Sequence, residues 1–388
     1  MSRTAASRAA IAPFYVMEVM KAAGERERAG GEVLHLEVGQ PSTPAPAAVL
    51  DAAAIALRQD PLRYTDALGT AALRDRIARW YLERYELTVD PARVAVTSGA
   101  SGACVLGLLA AFEVGDRVAV ASPGYPCYRN MLTAFGATPV DIEVDASTRF
   151  QLTPELLARE AERGGPLAGV VVASPSNPTG TMLGAAELEA LAAHCASADL
   201  RLVSDEIYHG ITYDEPAATA LAFDPDAIVV SSFSKYFSMT GWRLGWMVVP
   251  PALVEPIERL AQNLTVAPPT LAQLAGIAAF DSVAELDGHV ARYAANRSVL
   301  LDGLSAMGFD RVAPADGAFY AWVDISEVSD DAEALCGTWL AELGVAATPG
   351  IDFDPARGHH FVRFSFCGAD DEIAEAVRRL GGWMANRR

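Results

Sequence analysis

Short apolar runs alternate with helical segments between about residue 45 and residue 275 of this 388-residue chain. Runs that are apolar at every position, rather than at every second one, are typical of strands covered by helices on both faces. Strand, helix and strand in this order favour a mainly parallel α/β sheet with right-handed crossovers. The predicted strands cover residues 93–97, 117–121, 137–144, 167–173, 200–204 and 227–231, and the predicted helices of this part include 47–58, 70–85 and 184–197.

A different pattern begins near residue 280, where fewer strands are mixed with longer helices and a smaller α+β domain is expected. Its predicted elements are helices at 285–307, 331–343 and 370–385 and strands at 319–325 and 361–366. Upstream, an amphipathic helix over 14–30 and a strand over 33–38 are predicted. We therefore expect an N-terminal arm (1–44) packed with the small domain, a large domain (45–280) and a small C-terminal domain (281–388).

The composition argues against several classes of function. A net charge of −19 disfavours nucleic acid as the main partner, because that binding depends on neutralising phosphates with cations. The five cysteines contain no Cys-x-x-Cys pair and the six histidines no His-Glu-x-x-His spacing, so neither a disulfide framework nor a metal site is expected. We find neither an apolar run long enough for a membrane span nor a signal-peptide pattern, and we expect a cytoplasmic protein.

Residues that follow the predicted strands carry the candidate chemistry, because ligands of open parallel sheets bind beyond the carboxyl ends of the strands. The first of these strands leads into a Gly-rich turn, 98–103, that opens an apolar helix. Free N–H groups and the positive end of the helix dipole suit a phosphate there, and a tight turn of small packing residues is an equally good interpretation. Tyr125 and Asn177 follow two further strands, and each residue taken alone is typical of a core or turn position.

The most specific signals are an amine and a carboxylate at strand ends. The chain has only two lysines: Lys21 lies on the charged face of the N-terminal helix, whereas Lys235 comes just after a buried strand. Asp205 also follows a buried strand, where a carboxylate is costly unless a cationic group pairs with it. An amine, an acid, an amide and a phosphate cradle at one sheet edge suit pyridoxal phosphate.

Four motifs then carry a resemblance to a known family. In chain order they are Asn177-Pro178-Thr179-Gly180, Asp205-Glu206-Ile207-Tyr208, Ser232-Phe233-Ser234-Lys235-x5-Gly241-x-Arg243-x-Gly245 and Phe361-Val362-Arg363-Phe364-Ser365. Together they resemble the class I/II pyridoxal-phosphate-dependent aminotransferases, which are fold-type-I enzymes of the aspartate aminotransferase superfamily. The resemblance covers roughly residues 14–385. It implies a mainly parallel, seven-stranded type of sheet flanked by helices, with the cofactor bound by the large domain.

The resemblance also implies a role for each matching residue. Lys235 would form the Schiff base with pyridoxal phosphate and carry protons, Asp205 would keep the pyridine nitrogen protonated, and Tyr208 would hydrogen-bond the ring oxygen. The implied cofactor contacts are completed by Tyr125 on the ring face, Asn177 at the ring oxygen, Ala100, Ser101, Ser232, Ser234 and Arg243 at the phosphate, and Tyr64 reaching the phosphate of the partner subunit in a homodimer. The implied substrate contacts are Gly39, Asn177 and Arg363, with Arg363 binding the carboxylate in a bidentate pair.

The implied reaction moves an amino group from an L-amino acid to 2-oxoglutarate or pyruvate. Some bacterial aspartate aminotransferases carry a Lys at the position of Ser101, and its replacement weakens an aspartate assignment. Apolar residues near the entrance fit an uncharged side chain and fit a packed arm equally well: they are Ile11, Phe14, Tyr15 and Val16.

Three alternatives accompany this interpretation. Carbon–sulfur β-lyases, decarboxylases and racemases share the same scaffold and core residues. A dinucleotide-binding dehydrogenase would need Gly-x-Gly-x-x-Gly after its first strand, which this sequence lacks. A ligand-sensing regulator would need an added DNA-binding module, for which residues 1–30 are too short.

Overall fold

The computed structural model describes residues 5–387. Within this range the helices are α1 (Tyr15–Arg28), α2 (Ala47–Gln59), α3 (Ala71–Tyr85), α4 (Gly99–Ala111), α5 (Pro126–Phe135), α6 (Pro154–Gly164), α7 (Ala185–Ser197), α8 (Pro251–Leu264), α9 (Thr270–Ala279), α10 (Val283–Ala306), α11 (Ala332–Leu343) and α12 (Asp370–Ala385). The strands are β1 (Leu34–His35), β2 (Val94–Thr97), β3 (Arg117–Ser122), β4 (Thr138–Glu143), β5 (Gly169–Ala173), β6 (Arg201–Asp205), β7 (Ile228–Ser232), β8 (Gly245–Val248), β9 (Tyr320–Asp324), β10 (Val345–Ala346), β11 (Thr348–Pro349) and β12 (Phe361–Ser365).

A seven-stranded sheet in the order β2-β8-β7-β6-β5-β3-β4 forms the centre of the molecule. The strands from β7 to β4 pair in parallel, whereas β8 runs antiparallel between β2 and β7. The predicted α/β class and all six predicted strands of this sheet are confirmed, with ends shifted by at most two residues. The seventh strand, β8, was not predicted.

The central strands need apolar residues at every position because they fill two cores at once. Val171 and Val203 belong to a core that α4 shares, whereas their chain neighbours Val170 and Leu202 belong to a second core that α7 shares. Successive side chains of a strand point to opposite faces of the sheet. An unbroken apolar run is therefore the expected pattern for a strand with helices on both sides.

The chain after α9 forms a smaller α+β unit around the antiparallel sheet β11-β12-β9, with α10, α11 and α12 packed beside it. The N-terminal arm pairs with this unit, since Leu34 of β1 lies opposite Val345 of β10 in a parallel ladder. The predicted strand over 33–38 is shorter than expected, because its partner β10 has only two residues. The domain boundaries at residues 44 and 280 stay a prediction.

Residues 5–387 carry neither a membrane-spanning helix nor a cluster of metal-binding side chains. No helix in this range combines the length and apolar character needed to cross a membrane. The same residues contain no group of three or more His, Cys, Asp and Glu side chains that could hold a metal ion. All five cysteines carry free thiols.

Candidate active site

A cavity of about 210 Å³ lies at the carboxyl ends of the central strands. Asp205 is the last residue of β6, and Lys235 comes three positions after the end of β7, so the parallel strands bring both side chains to the same edge. Residues of α1 and of the small unit complete the lining of the cavity. The sequence-predicted residues that line it are Gly39, Ser101, Tyr125, Asn177, Asp205, Tyr208, Ser234, Lys235, Arg243 and Arg363.

Lys235 supplies the amine of the cavity, and Lys21 is exposed on α1 outside its lining. The Nζ atom of Lys235 donates a hydrogen bond to the main-chain oxygen of Gly39 at 2.6 Å. Desolvation lowers the pKa of Lys235 from its ordinary 10.5 to about 8, and the positive charge of nearby Arg363 acts in the same direction. Lys235 therefore holds a larger neutral, nucleophilic fraction near neutral pH than an exposed lysine does.

Asp205 is a buried carboxylate, with only 4% of its surface exposed. Its Oδ2 accepts a hydrogen bond from the Tyr128 hydroxyl, and its Oδ1 accepts the main-chain N–H of Ile207 at 3.0 Å. Burial nevertheless raises the pKa of Asp205 above its ordinary value. A cationic ring nitrogen placed against this carboxylate would stabilise its charge, as the strand-end position suggested. Tyr128 was not predicted, since an aromatic residue on a helix gives no sign of such a contact.

Arg363 lies in the middle strand of the small sheet and is 2% exposed. Its Nη1 donates to Asn177 Oδ1 at 2.8 Å, and its Nη2 donates to the main-chain oxygen of Glu37. The guanidinium carbon lies 4.4 Å from the ring centroid of Tyr320 and 4.7 Å from that of Phe353. Its Nε is buried with no hydrogen-bond partner. Nη1 and Nη2 each bond one of these acceptors and carry two hydrogens, so the guanidinium can still donate to a carboxylate in the bidentate geometry that arginine favours.

The Gly-rich turn after β2 and the segment around Arg243 form a cationic cradle. Helix α4 starts at Gly99, so the main-chain N–H groups of its first turn have no partner within the helix. Gly99 has a φ of +73°, and a Cβ there would lie 2.4 Å from Arg243 Nη2. A Cβ on Gly245 would lie 2.8 Å from the main-chain nitrogen of Ala100. Only glycine lets the arginine and the helix N-terminus approach this closely, and the resulting positive concavity suits a phosphate.

Three predicted site residues are not part of the cavity lining. Ser232 lies behind it, with its Oγ bonded to that of Ser234 at 2.9 Å, and Ala100 can contribute only through its main-chain N–H. Tyr64 is 85% exposed and lies outside the cavity lining. The roles of all these site residues stay predictions.

Tyr320, at the start of β9, joins the site although it was not predicted. Its hydroxyl is hydrogen-bonded to that of Tyr208 at 2.8 Å. Its ring supports Arg363, and a Cβ on Gly39 would lie only 1.7 Å from its Oη. The predicted strand over 319–325 contained this residue, but an aromatic side chain in a buried strand is ordinarily a core residue.

These residues fit pyridoxal phosphate. The set contains a lysine of lowered pKa, a buried carboxylate that a cationic ring nitrogen would stabilise, and a glycine-lined cationic cradle that any Cβ would obstruct. Lys235 would hold the cofactor covalently, Asp205 would face its ring nitrogen, and Arg243, Ser234 and the N-terminus of α4 would hold its phosphate.

Comparison with known proteins assigns the class. The family model for aminotransferase class I and II matches residues 31–380, and the chain belongs to this family of pyridoxal-phosphate-dependent enzymes. The predicted family, cofactor and aminotransferase activity are confirmed.

Among the relatives, a valine–pyruvate aminotransferase of Mycobacterium tuberculosis is 51% identical, with 100% of both chains covered. The crystal structure of an aminotransferase from Mycobacterium tuberculosis has a TM-score of 0.96 at 51% identity, covering 99% of this chain and 100% of that one. The aspartate aminotransferase of Thermus thermophilus with maleate has a TM-score of 0.92 at 30% identity, covering 98% and 100%. The fold of these neighbours agrees with fold type I as expected from the sequence.

Proposed function

We propose that this enzyme transfers the amino group of an L-amino acid with an uncharged, branched side chain, valine above all, to pyruvate. Valine and pyruvate would yield 3-methyl-2-oxobutanoate and alanine. The proposal is supported by the 51% identity to a protein named valine–pyruvate aminotransferase. It is supported independently by the lining of the cavity.

The side of the cavity formed by the N-terminal arm is the observation that carries the substrate class. Four apolar side chains at the start of α1 line this side, hereafter the apolar wall: Phe14, Val16, Met17 and Met20. Phe14 packs edge-on against Tyr125, with ring centroids 5.9 Å apart. A side-chain carboxylate placed against this wall would lose its hydration without gaining a partner, whereas the methyl groups of valine would be buried favourably. Ser101 offers no positive charge to a second carboxylate.

In this proposal Arg363 binds the α-carboxylate of the substrate, and the apolar wall contacts its side chain. Asn177 uses its Oδ1 to accept from Arg363, which leaves its Nδ2 free to donate to the cofactor ring oxygen. Tyr208 would donate to the same oxygen while bonded to Tyr320. Tyr125 would pack against the ring face, and the main chain of Gly39 would contact the substrate.

Pyridoxal phosphate, when bound, supplies the electron sink for the bond broken at the substrate α-carbon. Lys235 would be released from the cofactor by the incoming amino group. Its amine would then remove the proton from the substrate α-carbon and deliver it to C4′ of the cofactor. Its lowered pKa favours this role, because the neutral amine is the form that accepts a proton. Asp205 would hold a proton on the ring nitrogen throughout, and the buried surroundings would keep water from the reacting carbon.

A panel of amino donors with pyruvate as acceptor tests the proposal. Alanine formation should be fastest with valine, slower with threonine, which has the same shape and a hydroxyl, and slowest with aspartate. A preference for aspartate or glutamate would overturn the substrate class. Ammonia, carbon dioxide or an inverted donor in place of alanine would instead support a β-lyase, a decarboxylase or a racemase.

We also propose that the enzyme is a cytoplasmic homodimer in which Tyr64 reaches the phosphate of the partner subunit. The 85% exposure of this tyrosine supports a contact outside its own chain. The five free thiols fit a reducing compartment. Light scattering should report twice the chain mass, and Tyr64→Ala should weaken pyridoxal phosphate binding without changing that mass. A monomer that binds the cofactor normally would contradict the proposal.

A further inference from the structure

Helix α1, which carries most of the apolar wall, is capped from a distant part of the chain. Its N-cap residue is Phe14, which has no side-chain acceptor and makes no cap bond. The first N–H groups of a helix need partners from elsewhere. Asp352, 336 positions further along the chain, supplies one: its Oδ2 accepts the main-chain N–H of Val16 at 3.2 Å. Its carboxylate also lies at the positive end of the helix dipole.

This cap is buried. Asp352 and Val16 are each 4% exposed, so water does not compete for the hydrogen bond. Val16 also packs in a small apolar cluster with Trp322 and Phe353. The cap and the cluster together hold α1 against the small unit.

Phe353, the residue next to Asp352, contacts Arg363, which in the proposed function binds the substrate carboxylate. Phe353 is fully buried, and its ring lies 4.7 Å from the guanidinium carbon of Arg363. Its main-chain oxygen accepts the N–H of Gly124 at 3.1 Å, which ties it to the turn that presents Tyr125. The turn before it is closely packed, since a Cβ on Gly350 would lie 2.5 Å from the main-chain oxygen of Gly358. Two adjacent residues therefore position the side-chain wall and the carboxylate-binding arginine.

We propose that Asp352 is a positioning residue for substrate selection, which holds the apolar wall at a fixed distance from Arg363 through its bond to Val16. The distance between wall and arginine then selects amino acids by the size of their uncharged side chain. The identity of that side chain rests on the proposed function, whereas the anchoring of α1 by Asp352 does not.

The test compares Asp352→Ala, which removes the acceptor, with Asp352→Asn, which keeps an acceptor oxygen and removes the charge. The matched control is Asp331→Ala, because Asp331 caps α11 by accepting the N–H of Ala334 at 2.9 Å, away from the cavity. Hydrogen exchange of the cofactor-loaded enzyme reports the anchoring of α1. Addition of single amino acids without an acceptor, followed by the cofactor absorbance, gives a half-saturating concentration for each donor.

In Asp352→Ala we expect α1 amides to exchange about tenfold faster and the half-saturating concentration of valine to rise about tenfold, as expected for a lost cap. Alanine, whose methyl group offers the wall less apolar surface than the side chain of valine, should change less than about threefold. Asp352→Asn should show smaller changes in the same direction, so it decides the question if the alanine variant does not fold. Asp331→Ala should speed exchange in α11 and leave the valine-to-alanine ratio unchanged.

Unchanged exchange in α1, or equal losses for valine and alanine, would overturn the role of Asp352. A wild-type enzyme that prefers an acidic donor would overturn the proposed substrate class. Faster α1 exchange in Asp352→Ala would still support the anchoring in that case, so the two failures are distinguishable.

Discussion

Gly39 is the position at which one added methyl group should disturb the whole site. A Cβ there would lie 1.7 Å from the Oη of Tyr320, 2.6 Å from its Cζ and 2.9 Å from its Cε1. Tyr320 is 2% exposed, so its ring could move aside only by entering the cavity that it helps to line. Its displacement would also break the 2.8 Å hydrogen bond to Tyr208 and withdraw the ring beneath Arg363.

The cost of Gly39→Ala follows from these contacts. Overpacking of this kind costs about 1–3 kcal/mol, and the lost hydroxyl pair adds about 1 kcal/mol. Alanine restricts the unfolded chain more than glycine does, and this offsets about 0.4–1 kcal/mol of the loss. We therefore expect a net loss of about 1–3.5 kcal/mol in the free energy of unfolding. Because the carbonyl of Gly39 accepts from Lys235, we also expect kcat/KM for the amino donor to fall at least about tenfold.

Urea unfolding and half-reaction kinetics check both numbers. Gly241→Ala is the control, since a Cβ at Gly241 meets no atom within 4 Å. The stability of this variant should equal that of the wild type or be slightly higher. In a Tyr320→Ala background the same Gly39 substitution meets no ring, so its cost should vanish. If Gly39→Ala is as stable and as active as Gly241→Ala, the packing of Tyr320 on Gly39 does not organise the site.

Three further predictions concern charged groups. Lys235→Ala should abolish the visible absorbance of the bound cofactor. The wild-type apoenzyme should take up pyridoxal phosphate faster as the pH rises through about 8, where the amine of Lys235 loses its proton. Uptake independent of pH would contradict the lowered pKa of Lys235. Arg363→Ala should raise the half-saturating concentration of amino donors by about 100-fold, measured by titration, while cofactor affinity stays nearly unchanged; equal losses would indicate a structural role. Hydrogen bonding to Glu37 raises the pKa of His35 to about 9. In urea unfolding, the stability lost in His35→Gln should therefore be largest below about pH 6.5 and disappear above about pH 9. A loss of stability that grows with pH would refute the pairing of His35 with Glu37.

The strand-end residues could be predicted because their positions depend on local patterns. A buried parallel strand shows as an unbroken apolar run, and the residue that follows it lies at the binding edge of the sheet. Asn177, Asp205 and Lys235 were found in this way, and the structure places all three in the lining of one cavity. The motifs around them then identified the family, which the comparison confirmed.

The rest depends on contacts between residues that are distant in the chain. Tyr320 bonds Tyr208 from 112 positions away, and Asp352 caps α1 from 336 positions away. Neither residue differs in local pattern from an ordinary buried aromatic or a turn aspartate. Residue types and their spacing along the chain suffice to infer the sheet, the cofactor and the reacting amine. Which side chains support those groups, and how far the apolar wall lies from Arg363, follows only from packing the N-terminal arm and the small unit against the sheet, because hydrogen bonds and van der Waals contacts depend on proximity in space.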